Sequence, residues 1–126
     1  PWAFMNTLIP LLCAALLWLP SASRADTYLL MAEENGCYWC QKWDEEIAHI
    51  YPKTDEGRTA PLRRYDLHGD KPDVKFVRRV SFTPTFILVK DGEEVGRIEG
   101  HPGEDFFWGL LQIMFNEANI PLDKTG

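Results

Sequence analysis

The sequence predicts an α/β domain, in which short apolar strands alternate with helices. Thr27 to Ala32 is a short apolar run without helical period, which is typical of a buried strand. A helical pattern follows and ends at Tyr51, because Pro52 cannot continue a helix, and a second strand-like run spans Leu62 to Leu67. Two strands separated by a helix favour a right-handed parallel crossover, the repeating unit of α/β folds.

The rest of the chain predicts further elements of both kinds. In order, they are a polar loop over 52–61, a short helix over 73–79, strands over 84–89 and 94–99 joined by an Asp-Gly turn, and a last helix from Glu104 that stops before Pro121. In the short helix, Val74, Val77 and Phe76 are expected to face inward. Apolar residues on the first and last helices should pack on the sheet rather than hold a cofactor: Trp39, Trp43, Ile47 and Ile50, then Phe106, Phe107, Leu110, Leu111, Ile113, Met114 and Ala118.

The chain has 126 residues, of which 45% are hydrophobic, enough for one domain with a packed core. Its first residues differ from the rest, because Leu8 to Leu19 is apolar but shorter than the roughly 20 residues that span a bilayer. Small residues, Ser23 and Ala25, stand where a signal peptidase would cut. We therefore expect a signal peptide over 1–25, with Pro1 to Phe4 upstream of the natural start, and one domain over 26–126. An uncleaved membrane anchor and a buried helix are the alternatives.

The charge of the chain excludes one class of partner. The formal net charge is −6, and it becomes −7 for residues 26–126 because Arg24 is the one charged residue before them. An acidic domain repels a phosphate backbone or an anionic membrane surface, so nucleic acid is not an expected partner.

The main chemical motif is the cysteine pair Cys37 and Cys40, at the junction of the first strand and the first helix. Free backbone N–H groups and the helix dipole at the first turn favour a thiolate at Cys37. Cys40 lies one helical turn further on the same face, within reach of the first sulfur. The spacing predicts a thiol–disulfide oxidoreductase in which Cys37 attacks and Cys40 resolves.

Two closely spaced cysteines can also belong to a zinc site, a haem site or a structural disulfide. A zinc site needs four ligands, and the remaining candidates are only His49, His68 and His101, so we expect no metal. A c-type haem site needs His directly after the second Cys, where Gln41 stands. A purely structural disulfide stays open, although so small a loop constrains little of the unfolded chain.

A second motif, Thr83-Pro84-Thr85-Phe86, begins the third strand. Proline is common at the first residue of a strand, so this position alone indicates nothing further. A cis Thr83–Pro84 bond beside the dithiol is the alternative, which spacing alone does not establish because cis bonds are about 5–6% of X–Pro bonds.

The order of elements, together with both motifs, resembles the thioredoxin family over most of residues 27–119. The resemblance implies a central four-stranded mixed sheet flanked by helices, with a cis Pro84 opposite Cys37. It also implies that Thr83 and Pro84 form part of the surface that binds an extended substrate protein, which Tyr38 and Trp39 would help to shape.

The chain departs from thioredoxin itself in two ways. The dithiol encloses Tyr38-Trp39 rather than Gly-Pro, and Met31 stands where thioredoxin has a buried Asp that accepts a proton from the second Cys. Glu33 or Glu34 could replace that acid, although exposed carboxylates are the simpler interpretation. A carboxylate near Cys37 would raise the pKa of its thiol and so oppose the helix terminus.

Within residues 33–64, the run Glu-Asn-Gly-Cys-Tyr-Trp-Cys-Gln-Lys-Trp and the later Ala-Pro-Leu-Arg-Arg resemble the SoxS group of periplasmic thioredoxins, which is associated with bacterial sulfur oxidation. The resemblance implies a periplasmic reductase of a disulfide-bearing protein, such as a sulfur-oxidation carrier, recharged by a membrane electron donor. No cofactor is implied, and a monomer is expected. An oxidant or isomerase of the same fold, or a non-catalytic binding module, are the alternatives.

Overall fold

The computed structural model describes residues 26–125. The expected signal peptide over 1–25 lies outside them and stays a prediction. No helix among the residues described has the length and apolar character needed to cross a membrane.

A four-stranded mixed sheet forms the centre of the domain. The strands are β1 (Thr27–Glu33), β2 (Leu62–Asp66), β3 (Thr85–Lys90) and β4 (Glu93–Glu99), in the spatial order β2-β1-β3-β4. β1 and β2 are parallel, as the crossover predicts, and the β1–β3 and β3–β4 pairs are antiparallel. With helices packed on this sheet, the predicted thioredoxin fold is confirmed.

The helices are α1 (Tyr38–Trp43), α2 (Asp55–Thr59) and α3 (Glu104–Glu117). α1 continues as a π-helical turn over Asp44–Ala48, and a 3-10 turn over Tyr51–Lys53 follows. The expectation of a loop over 52–61 was therefore wrong, because α2 forms inside it. Thr54 caps α2 by accepting a hydrogen bond from Gly57 N at 3.0 Å, and Asp55 and Glu56 suit its first turn.

The larger core lies between one face of the sheet and the helices α1 and α3. Trp43 and Phe107 are fully buried there, with their rings 5.6 Å apart. Other predicted core residues are exposed, because each helix presents a narrower apolar stripe to the sheet than its sequence offers: Trp39, Phe106, Leu110 and Ile113. Ile50 is also exposed, since it lies in the turn after the π-helical segment.

The opposite face of the sheet is covered by an irregular segment rather than by the predicted helix over 73–79. Tyr28, Leu30, Ile87 and Val89 form the small core on that face, against which Val74, Phe76 and Val80 pack. Val77, expected to face inward, is 71% exposed.

The helix over 73–79 does not form because its backbone is bonded to β4 and to the turn before it. Lys75 N donates to Gly92 O at 2.8 Å, and Glu94 N donates to Lys75 O at 3.1 Å. β-Branched Val74 and Val77 also have low helix propensity, so these long-range bonds prevail over a weak local preference.

Candidate active site

The cysteine pair lies at the start of α1, directly beyond the end of β1. Cys37 and Cys40 form a disulfide with their Cα atoms 5.2 Å apart. Cys37 is the N-cap residue, and its sulfur accepts a hydrogen bond from Cys40 N at 3.1 Å. Gly36 precedes it with φ 76°, a conformation that glycine adopts without a steric penalty. A turn, a cap and a helix thus place both sulfurs at one end of the sheet.

The two sulfurs are nearly buried, and their surroundings are apolar. Cys37 is 9% exposed and Cys40 is 5% exposed. They share the larger core with Met31, which is fully buried at the position of thioredoxin's acid. Apolar surroundings disfavour a thiolate, because desolvation penalises the charged form.

The Thr83–Pro84 motif reaches the same end of the sheet. The Thr83–Pro84 peptide bond is cis, and Pro84 O accepts a hydrogen bond from Gly100 N at 2.7 Å. Thr85 pairs with Ala32 in the β1–β3 register, so Pro84 lies next to the segment that leads into the dithiol. The fold therefore brings together two motifs more than 40 residues apart in the chain.

Glu34 connects the two motifs. Its backbone carbonyl accepts a hydrogen bond from Cys37 N at 3.3 Å, and its Oε1 accepts one from Thr83 Oγ1 at 2.7 Å. Its Oε2 lies 2.6 Å from His68 Nε2. The hydrogen bonds from Thr83 and His68 lower the pKa of the Glu34 carboxyl below its usual value, so Glu34 is ionised at neutral pH.

Glu33, the second candidate acid for proton transfer, is bonded elsewhere. Its Oε2 is 2.8 Å from one nitrogen of Arg64, and another nitrogen of that guanidinium is 2.7 Å from Asp44 Oδ1. Arg64 thus joins β1, β2 and the π-helical turn.

Large aromatic side chains are exposed around the site. Tyr38 and Trp39 are 58% and 55% exposed, with their rings 5.0 Å apart in an edge-to-face arrangement. Phe82 is 60% exposed and directly precedes Thr83, although the sequence patterns did not single it out. The position of Phe82 next to the Thr-Pro motif was the signal that could have identified it from the sequence.

The three histidines that could have completed a zinc site are separated from one another. His68 contacts Glu34, His101 Nε2 lies 3.2 Å from Glu46 Oε2, and His49 is exposed. Within residues 26–125, no cluster of three or more His, Cys, Asp or Glu side chains could hold a metal ion.

A mixed sheet with this strand order, and a cysteine pair that opens the first helix, define a thioredoxin-fold redox protein. The chain is similar to a solved structure, the reduced form of the periplasmic thioredoxin SoxS from Paracoccus pantotrophus. The two are 48% identical with a TM-score of 0.71, and the alignment covers 73% of this chain and 98% of that chain. The comparison with protein-family models gave no match, and neither did the comparison with curated proteins.

The chain belongs to the thioredoxin family, in its SoxS-like branch, and it is a thiol–disulfide oxidoreductase. Both the family and the narrower resemblance within residues 33–64 are confirmed.

Proposed function

We propose that this protein is a periplasmic reductase that transfers two electrons from Cys37 and Cys40 to a disulfide of a partner protein. Its similarity to a periplasmic thioredoxin supports that location, as does the signal-like composition of residues 1–25. A protein of sulfur oxidation is the proposed partner class, a membrane protein the proposed source of electrons, and a monomer the proposed state.

The proposed reaction has two exchange steps. The Cys37 thiolate attacks one sulfur of the partner disulfide, which forms a mixed disulfide and releases the other partner sulfur as a thiolate. The Cys40 thiolate then attacks Cys37, which releases the second partner thiolate and leaves the Cys37–Cys40 disulfide. Two protons end on the partner's thiols, and a separate dithiol donor must reduce the protein again. Tyr38, Trp39, Thr83 and Pro84 would contact the partner beside the attacked bond.

The surroundings of Cys37 are the observation that favours reduction over oxidation. Strong oxidants of this fold have a stabilised reduced form. Here the cysteine pair is nearly buried in the core that contains Met31, and ionised Glu34 lies three residues before Cys37. Both features disfavour a Cys37 thiolate and therefore the reduced form, although the helix start acts in the opposite direction. A dithiol of this kind gives up its electrons readily.

The reduction potential of the purified protein, measured against a glutathione series, tests the direction. We expect a value near that of thioredoxin, about −270 mV. A value near −120 mV, which is typical of strong periplasmic oxidants, would make the protein a disulfide donor instead.

Trapping tests the roles of the two sulfurs. Cys40→Ser should accumulate a mixed disulfide with a disulfide-bearing protein, because the resolving thiol is missing. Cys37→Ser is the matched control and should trap little. Equal trapping by both variants would contradict the proposed order of attack. A Cys37 that forms no adduct with any disulfide-bearing protein in the Cys40→Ser variant would argue against catalysis by this pair.

A further inference from the structure

A groove of about 670 Å³ lies beside the site, between β2 and the irregular segment that replaces the predicted helix. Its apolar lining includes Tyr65, Leu67, Phe76 and Val80, and the rings of Tyr65 and Phe76 are 6.5 Å apart. These side chains are only half-buried, so they offer apolar contact area to a ligand.

The polar lining of this groove is basic, in contrast to the acidic domain. Its basic members are His68, Lys71, Arg78 and Arg79. Arg78 is paired with Glu99 at 2.5 Å, whereas Lys71 and Arg79 make no ion pair within residues 26–125. Two cations are therefore available to an anionic ligand.

The acid in the lining, Glu34, is ionised and offsets one positive charge, but three cations against this one carboxylate leave the lining with a formal charge of +2. One of its carboxylate oxygens accepts from Thr83 and the other contacts His68. Glu34 also marks where the groove meets the cysteine pair, because its carbonyl accepts a hydrogen bond from Cys37 N at 3.3 Å. A segment bound in the groove would thus end beside the dithiol.

A buried ion pair fixes the wall of the groove that contains Arg78 and Arg79. Arg97 and Glu94, whose side chains are 4% and 3% exposed, lie 2.7 Å apart. The Arg97 guanidinium also donates to Arg78 O at 2.8 Å and to Arg79 O at 3.1 Å. Glu94 Oε1 accepts from Val77 N at 3.1 Å, so both ends of the pair bind this wall. A preformed wall lowers the entropic cost of binding.

We propose that this groove binds an acidic segment next to the reactive disulfide of the partner protein. This inference rests on the proposed function and adds the chemistry of its substrate. Charge complementarity supports it: residues 26–126 have a formal charge of −7, so an acidic partner is repelled by most of the surface. The groove attracts it through Lys71 and Arg79, which orients the partner disulfide toward Cys37. The apolar lining favours a peptide with apolar residues over a free anion.

Two synthetic disulfide peptides test the proposal, one with four Glu next to its cysteine and one with four Gln. The measured quantity is the ratio of their second-order rate constants with the reduced protein at low ionic strength. We expect a ratio of about 10 in favour of the acidic peptide, at the lower end of electrostatic steering. The double variant Lys71→Gln/Arg79→Gln should bring the ratio to about 1, because the groove of this variant lacks both available cations.

Lys53→Gln/Lys124→Gln is the matched control, because it removes the same charge from exposed positions outside the groove. Its ratio should stay near that of the unmodified protein. Equal ratios for both double variants would overturn the proposal, since only net charge would then matter.

Calorimetry with disulfide-free peptides, Ser replacing Cys, separates this inference from the redox function. The acidic peptide should bind more tightly than both the Gln peptide and inorganic phosphate. Equal affinity for phosphate would show that the groove binds any free anion, and it would overturn the proposal. Failure to reduce either disulfide peptide would instead contradict the redox function. The binding measurement would still show whether the groove prefers the acidic peptide.

Discussion

Thr83 Oγ1 donates a hydrogen bond of 2.7 Å to Glu34 Oε1, and this contact joins the residue before cis Pro84 to the strand end that leads into the dithiol. Thr83 and Glu34 are 49 residues apart in the chain. Their bond fixes an ionised carboxylate at the end of the sheet where the cysteine pair lies, and where the thioredoxin resemblance implies that a partner's backbone passes. The negative charge of Glu34 therefore forms part of the electrostatic surroundings of the redox site.

Glu34→Gln should make the reduction potential less negative. Removing a negative charge near Cys37 stabilises its thiolate and with it the reduced form. We expect a shift of about 10–30 mV, the small size that suits a charge interaction screened by solvent. Glu117→Gln, an exposed acid at the end of α3, is the control and should shift the potential much less. Equal shifts would show that only the net charge acts.

Thr83→Val should alter how stability depends on pH. The Glu34 pKa is lowered in the folded protein, so its contribution is complete above the ordinary glutamate pKa of about 4.3 and is lost as pH falls through the lower folded value. Without the Thr83 donor this pKa should rise toward the ordinary value. Urea unfolding at several pH values should show the variant less stable near pH 6 and closer to the unmodified protein near pH 2.5. Thr83→Ser keeps the hydroxyl and should retain the original profile.

Arg97→Gln should destabilise the domain by about 3–5 kcal/mol, because it leaves the buried Glu94 carboxylate without its partner. Arg78→Gln removes an exposed ion pair to Glu99 and should cost at most about 1 kcal/mol. Urea unfolding compares the two variants. Amide exchange at Val77, whose N–H bonds to Glu94, should also become faster in Arg97→Gln. Equal costs would contradict the role of the pair in fixing the groove wall.

Gly57→Ala should destabilise the protein by more than about 2 kcal/mol, or prevent folding, through a clash with backbone that cannot move away. A Cβ there would lie 1.8 Å from Tyr51 O. Gly109→Ala is the opposite case, because a Cβ at this helical position meets nothing within 4 Å. It should stabilise α3 by about 0.5–1 kcal/mol, measured as a higher Tm.

Tyr51→Phe should cost about 1–3 kcal/mol, because it leaves a buried carbonyl without its donor. The Tyr51 hydroxyl donates to Ala60 O at 2.5 Å, and burial raises the pKa of this phenol strongly, so the hydroxyl stays protonated. Tyr65→Phe is the control, since the Tyr65 hydroxyl makes no hydrogen bond within residues 26–125. Urea unfolding should show little change for Tyr65→Phe; a similar loss in both variants would contradict the role given to the Tyr51 hydroxyl.

The sequence alone determined the alternation of strands and helices, the redox pair and the family. These features depend on local chemistry: apolar runs such as 27–32, a cysteine spacing that matches one helical turn, and a proline directly before β3. The cap at Thr54 was equally local, and it could have predicted α2.

Only the tertiary structure decided how the segment over 73–79 is folded, which apolar helix residues stay exposed, and where Glu34 makes its bonds. The segment's weak helical preference is overridden by backbone bonds to Gly92 and Glu94, which lie far along the chain. Glu34 meets Thr83 and His68 only because β1 and β2 end, and β3 begins, at the same end of the sheet. Sequence patterns report local preference and periodicity, whereas such contacts depend on which distant backbone and side-chain groups the fold brings together.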